Sequence, residues 1–323
     1  MRKIIFDTDP GIDDAFAIIT AMKEPSLNIL GICSEAGNKG IEFTTLNALK
    51  IIHLMQYDCM AYRGVETPML KVAEDAGETH GEDGLGGVEL DYDLKRLSSQ
   101  SAVDFILESV KKNPYEVEII ALGPVTNIAY AILKDRQTME KVKAIYSMGG
   151  GVFRGNVTPV AEFNYWYDAK ALEIFFSLGT KIPIHMIGLD ITHQTVVSCN
   201  DLEFMRIEGG KLGKLLYQMV TPYVGIYWQH ARYLGCVIHD LLAVIYAIDS
   251  SVCPKESIYH ANLRVSSEGR SIGQTVVDLV DSWKLPKNVY VPMAVDNRKY
   301  KETFFAIVFG EEVASKYRKY VKS

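Results

Sequence analysis

Apolar and polar positions fall in alternating blocks from the first residues onward. Ile4-Ile5-Phe6 is an apolar run of strand length, and Pro10-Gly11 breaks it before residues 15–22 resume with helical spacing. Residues 27–34 read as a second strand, and residues 40–56 as a helix carrying Leu46, Leu49, Ile52 and Met55 on one face. Further strands are predicted at 117–122, 142–148 and 182–187. Helices at 124–133 and 169–178 lie between them, with Pro124 at the first helical position. This β-α-β rhythm predicts an α/β fold with a mostly parallel sheet and helices on both faces.

Two long stretches break the rhythm: 64–97, rich in Gly, Glu and Asp, and 149–167, rich in Gly and Asn. Irregular segments of that length in a compact domain are usually functional or disordered. The last third shifts to longer helices at 201–234 and 239–249. Strand-like runs at 258–265, 275–280 and 288–295 and a short amphipathic helix close the chain. No repeat, low-complexity tract or linker divides it, so one domain over 1–323 is expected.

Composition narrows the class. Of 323 residues, 48% are hydrophobic, enough for a substantial core. A net charge of −6 leaves no electrostatic footprint for nucleic acid or an anionic membrane. Cys33, Cys59, Cys199, Cys236 and Cys253 are scattered and odd in number, which argues for reduced thiols and against zinc or a disulfide framework. The first residues enter a strand directly, and no apolar run approaches transmembrane length. A cytoplasmic protein is expected.

The chemistry concentrates at the first strand-to-helix corner. Asp7 and Asp9 sit two apart on a strand and so share a face, while Asp13 and Asp14 fall in the first turn of the next helix. Capping accounts for any one of these aspartates. Four within eight positions point instead to a site. Crowded carboxylates repel one another unless a cation neutralises them or some take up protons. Hard oxygen ligands suit calcium or magnesium, and the spacing lacks the glycine and glutamate of an EF-hand.

Ligands of an open parallel sheet bind beyond the carboxyl ends of its strands. The residues there are Asp7, Asp9 and Asp14, then Glu35-Ala36-Gly37-Asn38, then Leu122-Gly123-Pro124-Val125-Thr126-Asn127. They continue with Gly155-Asn156 to Glu162-Phe163-Asn164, and with His239-Asp240 at the head of an apolar helix. Carboxylates, amides and one histidine without lysine or arginine fit neutral hydroxyls better than phosphate. Metal-assisted chemistry on a ribose or another sugar is the expectation.

At this point the chain resembles the calcium-dependent, inosine-uridine preferring nucleoside hydrolases. The resemblance rests on Asp7-Thr8-Asp9-Pro10-Gly11-Ile12-Asp13-Asp14-Ala15, Ala36-Gly37-Asn38 and His80-Gly81-Glu82-Asp83-Gly84-Leu85-Gly86. It continues through Gly123-Pro124-Val125-Thr126-Asn127, through 155–164 and through His239-Asp240, all in the family's order. The resemblance implies a single Rossmann-like domain, a homodimer or homotetramer, and hydrolysis of ribonucleosides to ribose and free base. It implies calcium on Asp9, Asp14, Asp240 and the carbonyl of Leu122. Ribose-binding residues would be Asp13, Asn38, Asn156, Glu162 and Asn164. Asp9 would be the general base for a metal-activated water, with inversion and no covalent intermediate. Glu35 is a departure, standing where many relatives carry a small or apolar residue.

His239 is the candidate acid for the leaving base, since an imidazole can transfer a proton near neutral pH. His80 is a candidate base or sugar contact in the glycine-rich loop. Gln229 and Tyr233, four apart, are placed on one helix face towards His239, and their resemblance to the Gln, Tyr and His-Asp pattern of pyrimidine-preferring members implies a lean to uridine or cytidine, with inosine also a substrate. The rivals are a haloacid-dehalogenase-like phosphatase with Asp7 as nucleophile, and a non-catalytic calcium-dependent nucleoside or sugar binder.

Overall fold

The computed structural model describes residues 1–70, 81, 83–232 and 234–321. Its strands are β1 (Arg2–Thr8), β2 (Leu27–Ser34), β3 (Met60–Arg63), β4 (Leu97–Ser98), β5 (Val117–Ala121) and β6 (Ala144–Met148). They continue with β7 (Ile184–Ile187), β8 (Val196–Ser198), β9 (Gly235–Val237), β10 (Ile258–Val265), β11 (Thr275–Asp278) and β12 (Val289–Pro292). Ten of them form one sheet in the order β11-β10-β12-β7-β6-β5-β1-β2-β3-β4, and β8 pairs with β9 separately. From β12 to β4 the pairs are parallel, and β10 runs antiparallel to both β11 and β12.

The two-residue period of β1 divides its side chains between two cores. Ile4 and Phe6 enter a cluster with Phe16, Ile19, Ile52, Leu241 and Ile245. Ile5 enters the opposite cluster with Ile119, Ile128, Leu172 and Phe175. Helices therefore cover both faces of the central strands, which explains why these strands read as continuous apolar runs.

Several boundaries differ from the sequence reading, each for a local reason. The helix expected from Pro124 begins later, at Thr126–Lys134, because Val125 adopts a left-handed φ of 59° and ends the turn first. The helix expected over 201–234 is two, Cys199–Glu208 and Gly210–Ala231, separated at Gly209 and Gly210, the latter with φ 63°. The closing helix is also two, Asn297–Phe309 and Glu311–Tyr320, divided at Gly310 with φ 91°. No helix of the described residues is long and apolar enough to cross a membrane.

Register fixes where the site lies. Thr8 pairs with Ser34 and Asp7 with Ala121, so the carboxyl ends of β1, β2 and β5 stand side by side. The Glu35 N–H donates to the Thr8 carbonyl at 2.9 Å, and the Leu122 N–H to the Asp7 carbonyl at 2.8 Å. The turns that leave these strands therefore crowd one edge of the sheet.

Candidate active site

Asp14 is the third residue of helix Ile12–Lys23 and Asp240 the second of helix His239–Ile248, two helices that pack against each other. Their first turns meet, so that Asp13, Asp14 and Asp240 bring carboxylate oxygens within 4.8 Å of one another, all buried. Both helix N-termini direct partial positive charge at this group. Asp14 is held by the Thr8 hydroxyl on Oδ1 and by the Gly11 N–H on Oδ2 at 2.8 Å.

Asp9 lies just past the end of β1. Its Oδ2 accepts the Asn38 N–H at 2.6 Å, and the Asn38 side-chain amide donates to the Asp9 carbonyl and to Asp14 Oδ2, each at 3.2 Å. A Cβ on Gly37 would overlap Asp9 Oδ2, which is why glycine precedes Asn38. Asp9 Oδ1 and Asp240 Oδ1 are buried and meet no hydrogen-bond donor among the described residues. Buried carboxylate oxygens without donors are costly unless a cation or a proton satisfies them.

The electrostatics agree. Burial, and after it the charge of Asp14, hold the Asp9 carboxyl well above its ordinary value. Burial does the same to Asp240, with Asp13 next in effect. Burial raises Asp13 to about 6 and Glu162 to about 7. An oxygen-only, negatively charged pocket of this kind fits a hard divalent cation.

The rim comes from the loop after β6. Glu162 accepts the N–H groups of Gly150 at 2.8 Å, Asn164 at 2.9 Å and Tyr165 at 3.2 Å. Asn164 donates its side-chain amide to the Leu122 carbonyl at 2.8 Å and to the Met148 carbonyl at 3.3 Å. Asn38 thus touches the acidic group, Glu162 lies near enough to Asp13 to feel its charge, and Gly123, next to Leu122, stands against Asp9. Asn156 is exposed and turned onto its own loop, accepting the Phe163 N–H at 2.9 Å.

Two placements depart from the sequence reading. Asp7 does not join the acidic group: its Oδ1 accepts from the Asn127 amide at 2.8 Å, and burial raises it to about 7. That also sets Asp7 apart from the acidic group, where the phosphatase reading needed its nucleophile. Gln229 is exposed, and the residue of helix Gly210–Ala231 that reaches His239 is Tyr227, on the other side of the helix. Tyr233 and His80 lie outside the described residues.

The His239 ring is held at both nitrogens, by the Tyr227 hydroxyl on Nε2 at 2.9 Å and the Thr192 hydroxyl on Nδ1 at 2.7 Å. Tyr223 hydrogen-bonds Tyr227 in turn. The sequence leaves Tyr223 and Tyr227 open between core packing and the site, names Thr8 and Asn127 only as members of motifs, and gives no sign of Thr192. The four-residue step between the two tyrosines, on a helix leading to His239, was the available signal.

A Rossmann-like sheet, an acidic oxygen pocket at its carboxyl edge and an amide rim define a hydrolase of sugar conjugates. The chain belongs to the inosine-uridine preferring nucleoside hydrolase family, whose family model matches residues 4–302, and is a nucleoside N-ribohydrolase. It is 32% identical over 295 residues to the pyrimidine-specific ribonucleoside hydrolase RihB of Escherichia coli K12, covering 91% of this chain and 93% of that protein. Among solved structures, the plant nucleoside hydrolase PpNRh1 superposes with a TM-score of 0.88 at 30% identity, covering 95% of this chain and 99% of that one. A purine-preferring ribonucleoside hydrolase from Gardnerella vaginalis gives 0.88 at 32%, covering 98% and 100%.

Proposed function

We propose that residues 1–323 act as one calcium-dependent domain that cleaves the N-glycosidic bond of pyrimidine ribonucleosides, with inosine as a further substrate. The observation that carries it is the buried acidic pocket where Asp13, Asp14 and Asp240 bring oxygens within 4.8 Å of one another, with Asp9 Oδ1 and Asp240 Oδ1 meeting no donor among the described residues. Asp9, Asp14, Asp240 and the Leu122 carbonyl are assigned as the calcium ligands. Four protein oxygens plus sugar hydroxyls suit the flexible, high coordination of calcium better than the strict octahedron of magnesium. Calcium bound there supplies charge neutralisation for the carboxylates and Lewis-acid polarisation of the reacting water.

The chain's own residues do the rest. Asp9 takes the proton of the water that attacks the anomeric carbon, since its Oδ2 is fixed by Asn38 and its Oδ1 is unoccupied by any described donor. Asp13 is 6% exposed where Asp9 and Asp14 are fully buried, so it is the carboxylate best placed to accept from a ribose hydroxyl. Asn38, Asn156, Glu162 and Asn164 bind the remaining sugar oxygens. Positive charge developing on the ribose is favoured by the surrounding carboxylates.

The departing base leaves more easily when protonated. His239, whose Nε2 meets the Tyr227 hydroxyl, supplies that proton through Tyr227, which gives its own hydroxyl proton to the base as it takes one from Nε2. A single base acting on water predicts inversion at the anomeric carbon. The pyrimidine preference draws on the RihB relative, and the purine-preferring relative supports inosine as a second substrate. The scattered free thiols fit a reducing cytoplasm, and a homodimer or homotetramer is expected.

The test is ribose release from uridine, cytidine, inosine, guanosine and adenosine, with calcium and after chelation. Calcium-dependent release ranked uridine or cytidine first supports the reading. Guanosine or adenosine ranked first overturns the base preference, and release unaffected by chelation overturns the metal assignment.

A further inference from the structure

Glu35 is a fully buried carboxylate that the hydrolytic reading does not use. It has no ion pair with Lys or Arg among the described residues. Its Oε1 accepts the Val125 N–H at 3.1 Å and its Oε2 the Asn127 N–H at 3.3 Å, so it caps helix Thr126–Lys134 from 90 residues away. Its own N–H is bound to the carbonyl of Thr8, the residue before Asp9. A Cβ on Gly123 would lie 2.8 Å from Glu35 Oε1 and 2.8 Å from Asp9 Oδ1, so the two carboxylates flank the same glycine.

Between Gly123 and the helix stands Val125, a β-branched residue with φ 59°. That conformation is a strained one for valine and persists only where the surroundings over-determine it. The Glu35 carboxylate does so by holding the amides of Val125 and Asn127. A local Ser or Asn would cap the helix without burying a charge, so capping alone does not account for a glutamate at this position.

We propose that Glu35 is a positioning residue of the hydrolytic site: its carboxylate clamps the 122–125 turn against Asp9, which sets the Leu122 carbonyl in place as a calcium ligand. This rests on the calcium assignment given above. Glu35 touches neither the sugar nor the cation. It acts through the turn, by the hydrogen bonds it accepts from Val125 and Asn127.

The experiment uses Glu35→Gln, Glu35→Ala and the double variant Glu35→Ala/Val125→Gly in the full chain. Calcium affinity is read by calorimetry on the chelated protein, next to Tm and to kcat and KM for uridine. Removing an outer-shell partner of a metal site typically weakens the metal about 10-fold, and that loss is expected for both single variants. Glycine adopts positive φ without strain, so Val125→Gly should recover about threefold of the affinity lost in Glu35→Ala. Glu35→Gln keeps the volume and one acceptor oxygen and so tests the proposal even where the alanine variant fails to fold.

Folded variants with lower Tm but unchanged calcium affinity and kcat would reduce Glu35 to a helix cap and overturn the proposal. Calcium binding by the wild type without ribose release would overturn the hydrolytic reading alone. The Glu35 effect on affinity would remain measurable in that case.

Discussion

Asn38 gives its backbone N–H to Oδ2 of Asp9 at 2.6 Å, leaving Asp9 Oδ1 as the oxygen of that carboxylate directed away from the described donors. One side of Asp9 is thus anchored to the loop after β2, and the other is available for a proton or a cation. Asp9→Asn keeps the volume and removes the basic oxygen. A general base contributes about 10² to 10⁴ in rate, so kcat should fall by that factor. Ribose affinity, measured by product inhibition at saturating calcium, should change far less. Full activity in this variant would refute Asp9 as the base.

The Tyr227–His239 pair bears on the other half of the bond cleavage. Tyr227→Phe removes the hydroxyl 2.9 Å from Nε2 and leaves the ring packed against Tyr223 at a centroid distance of 5.1 Å. The expected loss is about 10- to 100-fold in kcat for uridine and inosine, at the lower end of acid catalysis. A riboside of an acidic phenol leaves without protonation, so its turnover should stay within about threefold of wild type. Equal losses on both substrates would mean that Tyr227 supports packing alone.

Much of the architecture was legible because the central strands are buried on both faces and read as unbroken apolar runs, as 27–34 and 117–122 do. The acidic corner was legible because Asp13 and Asp14 are local to one helix turn. Contacts across the sheet were not. Asp7 leaving the cluster for Asn127, Glu35 capping a helix 90 residues on, and Tyr227 reaching His239 all depend on strand order and helix packing, which periodicity does not encode. Val125 was misread for the opposite reason. Pro124 is a good helix starter, and tertiary hydrogen bonds to Glu35 override it.

The cluster also ties stability to cation and pH. Burial raises Asp13 to about 6 and Asp7 and Glu162 to about 7, above their ordinary values of 3.8 and 4.5. A carboxyl whose folded value is raised binds its proton more tightly in the folded state. Its contribution is therefore present at low pH and lost as pH rises through the folded value, so the chelated protein should lose stability between about pH 4 and 7. Calcium binds the ionised carboxylates and should restore more at pH 8 than at pH 5. At about 100 times its Kd the gain is about 2.7 kcal/mol, or about 5 °C in Tm at pH 8. Equal Tm gains at the two pH values would contradict the placement of the cation on these carboxylates.

On the acid side a different residue sets the limit. His185 on β7 is stacked between Tyr146 and Tyr290, each at a centroid distance of 5.0 Å, and Nδ1 meets the Tyr246 hydroxyl at 3.1 Å. Burial pushes its value from 6.5 down to about 4, with Glu118 opposing and His260 adding to the fall. The unfolded chain therefore binds the proton first as pH drops, and the His185 contribution to stability is lost between about pH 6.5 and 4 and is level above that window. A displacement of that size corresponds to about 3 kcal/mol at about 1.4 kcal/mol per unit. His185→Phe keeps a flat ring in the stack and has nothing to protonate. Urea unfolding at pH 7 and pH 4.5 should show a drop smaller by about 2 kcal/mol in this variant than in the wild type. An unchanged drop would place the acid sensitivity elsewhere, among the carboxylates of the salt-bridged surface.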